Sequence, residues 1–242
     1  MSTARIDRVR ARVENEATRD NDPAGMSGAL VRLCRCAVRS LPAAGSSISL
    51  MTDAGTVDLV ASSDRRSALV EELQFTLGEG PSWEAFETRS PVLAHQLTGD
   101  TSRRWPGYAS SASEAGAGSV FAFPLLVGRS RVGVFGLFRD EESWMPADTI
   151  ADAEAFAEVA TAMLLDGQEE TGEGSAPGGL HDALASGTAV YQAQGMVMIQ
   201  LGVGPNEAAV RLRAFAYANS SSLGVVARDI VARRLCLQRD AR

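Results

Sequence analysis

The sequence predicts an α+β fold, an antiparallel sheet with flanking helices, followed by a C-terminal module that is all α. Three observations carry this. Two apolar runs, SVFAFPLLV at 119–127 and VGVFGLFR at 132–139, flank a turn at 128–130, the pattern of paired strands. The element order is helix, two strands, helices, one strand, two strands, helix, which describes an antiparallel sheet with helices packed on it. The last sixth of the chain, 189–232, reads as three short helices broken at 202–205 and 219–222.

The elements follow in order. Residues 1–23 form an N-terminal helical or flexible segment. Arg5, Arg8 and Arg12 share one helix face, and Ile6, Val9 and Val13 another. That pattern describes either a solvated, weakly packed amphipathic helix or a dimer contact. DNDPAG at 20–25 is a turn. Residues 26–39 are helical, with Leu30, Leu33, Ala37 and Val38 inside. Residues 47–51 alternate as a strand, Asp53, Ala54 and Gly55 make a hairpin turn, and 57–61 return. Residues 63–73 are helical. Gly78, Glu79, Gly80 and Pro81 form a loop into a short helix at 82–87, and 91–94 is a short strand. A polar region covers 98–118. After the paired strands, 147–165 is a long helix with Ile150, Ala153, Ala157, Ala160 and Leu164 in register. GQEETGEGSAPGG at 167–179 reads as a flexible linker. Its glycines and proline interrupt a continuous helix.

In the C-terminal module Val190, Ala193, Val197 and Leu201 line one face of the first helix. Gly204-Pro205 opens the second, because proline is preorganised for the first helical position. Glu207 follows in its first turn, where a negative charge suits the exposed amides. Ala208, Leu212, Phe215 and Ala216 are its apolar face. Ser221 or Ser222 caps the third helix, whose stripe is Leu223, Val226, Ala227, Ile230 and Val231.

Composition narrows the function classes. An apolar fraction of 45% supports a real core. No apolar run approaches the roughly 20 residues of a membrane span, and no hydrophobic segment follows the N-terminal arginines as in a secretory signal. The expected location is the cytoplasm. The net charge of −7 is unevenly placed, and every basic residue is arginine. Residues 180–242 hold seven arginines against Asp182, Glu207, Asp229 and Asp240; the acidic excess lies in the rest of the chain. A basic end on an acidic body fits a nucleic-acid-facing tail.

Catalytic constellations are missing from the sequence. Cys34, Cys36 and Cys236 form no CxxC and read as reduced cysteines near a core. His95 and His181 have no partners at metal-ligand spacing, so neither a metal site nor a catalytic residue is predicted. No GxSxG motif is present. Gly78-x-Gly80 lacks the Lys-Ser/Thr of a phosphate-binding loop. An enzyme is not expected, and any cofactor is left unspecified.

Two resemblances give this organisation a function. Ala193-Gln194-Gly195-Met196-Val197-Met198, Pro205-x-Glu207-Ala208, Leu212-Arg213-x-x-Ala216, Asn219, Leu223 and Val226-Ala227 resemble the ANTAR family, three-helix modules that bind RNA and regulate transcription termination. LGEGPSWEAFETRSPV at 77–92 and the closing GVFGLF resemble a GAF domain, a small sensory or dimerising module. The implied domains are GAF-like at 24–166, linker at 167–182 and ANTAR at 183–238. The arrangement resembles actinobacterial antitermination regulators, and the arginine-only, alanine-rich composition suits a GC-rich genome.

Each resemblance implies site residues. A GAF ligand would sit between the sheet and the connecting helices, with Trp83, Phe86, Trp105, Tyr108, Phe121 and Phe123 as candidate walls. RNA recognition asks for arginines to meet phosphates and for planar or polar groups to meet unpaired bases. Tyr191 for stacking and Gln194 for a base edge, with Gly195 and Met198, lie away from the apolar face of the first helix. Arg211, Arg213 and Arg228 supply charge, and Asn219 belongs to the family pattern. Gln194 stands where the family often has lysine, which removes one electrostatic contact. ANTAR targets are paired hairpins, so the resemblance implies a homodimer with one module per hairpin. Two other readings stay open: a DNA-binding transcription factor, and a ligand-sensing or protein-interaction module without nucleic-acid binding.

Overall fold

Alternation along the two apolar runs decides the architecture. The computed structural model describes residues 3–51, 57–169, 180–219 and 221–237. In chain order the elements are α1 (Thr3–Glu14), α2 (Gly25–Ser40), β1 (Gly45–Met51), β2 (Val57–Ser62), α3 (Arg65–Leu77), α4 (Pro81–Thr88), β3 (Val92–Ala94), α5 (Asp100–Arg104), α6 (Pro106–Glu114), β4 (Ser119–Val127), β5 (Ser130–Arg139), α7 (Ala147–Glu169), α8 (Leu180–Leu201), α9 (Pro205–Ala218) and α10 (Leu223–Val231). The strands form one sheet in the order β2-β1-β5-β4-β3. Every neighbouring pair is antiparallel, with bulges at Ile48/Ser49 and Leu125/Leu126.

Successive side chains on a strand point to opposite faces, so the sheet builds two cores. On one face Ile48, Phe121, Phe123, Leu125, Phe135 and Leu137 pack against Leu30 and Leu33 of α2 and Phe156 and Ala160 of α7. The Phe135 and Phe156 rings stack at 6.2 Å. On the other face Val120, Ala122, Val134 and Phe138 meet Val70 and Phe75 of α3, Phe86 of α4 and Tyr108 and Ala112 of α6. A third core, described below, belongs to α8–α10.

Local chemistry sets the helix ends. Asp64 caps α3 by accepting from the Ser67 amide at 2.9 Å. Gly78 closes α3 in the left-handed conformation, φ +73°, which glycine adopts at no steric cost. Pro81 opens α4 at the first helical position.

Some expectations change. The polar region 98–118 holds two helices, α5 and α6, started by Asp100 in a first turn and by Pro106. Helix α1 packs on α2 and α7 of its own chain, burying Val9 and Val13, while Arg5 pairs with Asp148 at 2.9 Å and Asp152 at 2.6 Å. Helix α7 runs on to Glu169 and α8 begins at Leu180. The hairpin turn at 53–55 and linker residues 170–179 lie outside the described residues. Cys34 and Cys36 are buried free thiols, and Cys236 is an exposed one.

A buried ion pair ties the segment before α2 to that helix. Arg35 donates to both carboxylate oxygens of Asp22, at 2.6 and 2.7 Å, and to the Ala17 carbonyl at 3.0 Å. The Arg35 hydrogen bonds hold the Asp22 carboxyl far below its ordinary value. A carboxylate with a lowered folded-state pKa adds stability above its unfolded value, and that stability is lost as pH falls through the folded one. Arg35→Met is therefore expected to lower the melting temperature at neutral pH and to flatten its decline below about pH 4, read by thermal circular dichroism across pH. Phe156→Ala is expected to cost about 3–5 kcal/mol in urea unfolding.

Candidate nucleic-acid interface

Three helices hold the basic end together through small side chains. Ala193, Val197 and Leu201 of α8 meet Ala208, Leu212 and Ala216 of α9 and Val226, Ala227 and Ile230 of α10. Alanine at these crossings lets the helices approach closely, so the polar residues are pushed to the outside. Pro205 starts α9, and the Ser222 hydroxyl caps α10 by accepting from the Val225 amide at 3.3 Å. Gln194 Nε2 donates to the Pro205 carbonyl at 2.8 Å, which pins α8 to the start of α9. Asn219 Nδ2 donates to the Phe215 carbonyl at 2.8 Å, at the end of α9.

The predicted residues divide into two groups. Tyr191, Gln194, Gly195 and Met198 share one flank of α8. Tyr191 is 50% exposed and nothing stands near the place a Gly195 side chain would occupy. Met198 is half-buried against the helical core. Arg211 is exposed on α9 and lies 3.6 Å from Glu207 one turn earlier. Sequence reasoning missed Ile199 and Tyr217, which are 86% and 56% exposed. Tyr191, Gly195 and Ile199 recur at four-residue spacing. The run Met196–Ile199 is continuously apolar, which hides the outward position of Ile199.

Arg213 and Arg228 face elsewhere. Helices α9 and α10 rest on α3, and α8 rests on β2. The Arg213 guanidinium lies against Gly78, its Nε 3.1 Å from where a Cβ would stand, and burial pulls its pKa down. Arg228 remains exposed on α10 and its charge acts on Asp58 of β2 and Glu72 of α3. Burial pushes the Asp58 carboxyl up to about 7, with Arg228 opposing that rise and Glu72 adding to it. Burial likewise raises Glu72 against the pull of Arg228.

The six aromatic residues expected around a ligand do not surround one cavity. Phe86, Trp105 and Tyr108 are buried on the α3–α6 side of the sheet, with Trp83 half-buried beside them. Phe121 and Phe123 point to the α2–α7 side, because their odd positions on β4 alternate away from Val120 and Ala122. A cleft of about 400 Å³ opens on that second side, where Phe123 and Leu126 meet Arg89, Glu154 and Glu158.

The α3–α6 side contains a polar cluster that sequence reasoning missed. The fully buried Glu71 carboxylate accepts from Ser47 and Ser49 of β1, both at 3.2 Å, from Gln74 at 3.0 Å and from Ser82 at 3.3 Å. Burial raises its pKa, while those donors pull it down. The Tyr108 hydroxyl is buried without a hydrogen-bond partner, and its pKa is raised by burial and by the charge of Glu71. Gly136 leaves room for the cluster: a Cβ there would stand 2.6 Å from Ser47 Oγ and 3.0 Å from Glu71 Oε2. Among the described residues no group of His, Cys, Asp and Glu is placed to hold a metal ion, and no helix is long and apolar enough to cross a membrane.

Comparison with known proteins agrees with both parts of the chain. The GAF domain family matches residues 24–164, and the ANTAR domain family matches residues 179–231. Among solved structures, the GAF domain of a phosphoenolpyruvate-protein phosphotransferase from Coxiella burnetii is similar at 16% identity and a TM-score of 0.53, over 70% of this chain and 98% of that one. The GAF domain of the corresponding Acinetobacter protein is similar at 13% identity and a TM-score of 0.48, over 72% and 99%. No curated protein matches the chain. With a five-stranded antiparallel sheet at residues 24–164 and helices at 180–231, the chain belongs to the GAF-domain family and carries a C-terminal ANTAR domain, the organisation of a GAF–ANTAR regulator.

Proposed function

We propose that this chain is a cytoplasmic regulator that binds paired hairpins in nascent RNA through α8–α10 and controls transcription termination. The observation that carries the reading is the flank of α8, where a half-exposed Tyr191 stands beside the open surface of Gly195. An aromatic face next to bare backbone accepts a splayed-out base, the way proteins read single-stranded RNA loops. Arg211 on α9 supplies charge for a phosphate. Two hairpins per target ask for two modules, so the working form is a homodimer. The GAF domain acts as the sensory or dimerising unit and takes a small molecule where it senses one. A duplex-DNA reader is the weaker reading, because α10 presents few base-reading side chains beside Arg228.

Fluorescence anisotropy of the full chain with a labelled two-hairpin RNA tests this. Binding stronger than to one hairpin or to duplex DNA is expected, and preference for the duplex would refute it. Loss of one stacked base costs about 1–3 kcal/mol, so Tyr191→Ala is expected to weaken RNA binding about fivefold or more while leaving the melting temperature unchanged. Gln194→Lys is expected to tighten binding and steepen its salt dependence by about one counterion.

A further inference from the structure

The acidic α3–β2 edge of the GAF domain holds one arginine of the helical module, Arg213, and lies within the field of a second, Arg228. Arg213 is half-buried against Gly78, the residue that ends α3. Arg228 acts on Asp58 and Glu72, two carboxylates that burial would otherwise leave uncompensated. Helix α8 lies on β2 in the same contact. Charge complementarity is built into the chain, since the arginine excess of residues 180–242 is opposite in sign to the acidic excess of the preceding residues. A phosphate cannot reach a guanidinium that is packed against protein backbone.

We infer that the α3–β2 edge is an autoinhibitory surface: the GAF domain covers Arg213 and sets acidic groups near Arg228 in competition with RNA, and RNA binding requires the module to leave α3. This rests on the RNA reading given above. Gly78 is the pivot of the contact. It lies at φ +73°, where asparagine is the side chain best tolerated after glycine, and a Cβ there meets Arg213 Cζ at 3.2 Å. Apparent affinity falls by the fraction of molecules that are open, so the latch is measurable as a change in RNA affinity with no change at the RNA-binding residues.

The test uses the full chain and two substitutions that leave every proposed RNA-binding residue intact. Glu72→Arg repels Arg228, and Gly78→Asn wedges Arg213 away from α3. Small-angle scattering reads separation of the domains, and anisotropy with the two-hairpin RNA reads affinity. Both variants are expected to increase the radius of gyration and to bind RNA about tenfold more tightly than the parent, the gain for a parent that is about one-tenth open. A parent and variants that bind RNA equally would overturn the occlusion. An unchanged radius of gyration in both variants would overturn the contact as the latch. Separation of the domains with no RNA binding by any form would refute the RNA reading, and the inhibition with it, but leave the docking itself standing.

Discussion

The two-residue alternation of β4 and β5 is the constraint on which the rest of the structure depends. Phe121, Phe123 and Leu125 point one way and Val120 and Ala122 the other, and the same split runs through Val134, Phe135, Leu137 and Phe138. One face is largely apolar, with Ser46 donating to the Cys34 carbonyl at 2.8 Å, and closes with α2 and α7. The other must also house Glu71, so it gathers hydroxyls from Ser47 and Ser49 on β1 and from Ser82 on α4. A buried carboxylate is tolerated only where its lone pairs are met. That requirement fixes α3 along β1 and β2, and the outer side of α3 becomes the surface on which α9 and α10 rest.

The contact on α3 is polar, and its terms oppose one another. Burying Asp58 and Glu72 is unfavourable, as their raised pKa values report, and Arg228 offsets part of that cost. A charge that acts from an exposed position offsets such a cost only in part, because water screens it. Arg213 adds packing of its stem and guanidinium on Gly78 but loses hydration. An interface with these ingredients has the character of a transient domain contact rather than of a shared core. The module's own core is different. It is alanine, valine, leucine and isoleucine, with Met196, Met198 and Phe215 packed against them.

Much of this was legible in the sequence, and the residues that escaped did so for definable reasons. The strands at 119–127 and 130–139 announce themselves because two apolar runs flank a glycine turn. The three C-terminal helices are legible because Pro205 and Ser222 punctuate a clear apolar stripe. Helices α5 and α6 were hidden in a segment rich in serine, alanine and glycine, although Asp100 and Pro106 were start signals. Val9 and Val13 show the same pattern whether an amphipathic helix is solvated or packed, so only their contacts with α7 decide. The aromatic residues of β4 suit a single pocket by composition alone, because composition does not reveal which face a residue takes; that depends on register against β5 and β3. The placement of Arg213 was illegible for a simpler reason: its neighbour Gly78 is on another domain, and no local spacing records that.

Chain connectivity explains how so balanced a contact persists. Residues 170–179 join α7 to α8, and a short connection of this kind keeps two surfaces at an effective concentration on the order of millimolar. A docking affinity of only about 0.1 mM, near −5.5 kcal/mol, would then leave the module about nine-tenths closed. Reversing that ratio takes about 2.6 kcal/mol of differential binding, which is within reach of a few phosphate contacts or of one ligand that prefers an undocked α3. A large apolar interface would need much more and would rarely open. The weak, charge-bearing surface at Asp58, Glu72 and Gly78 is therefore suited to a regulator: tight enough, once tethered, to keep Arg213 from non-specific RNA, and loose enough for the correct pair of hairpins to displace it.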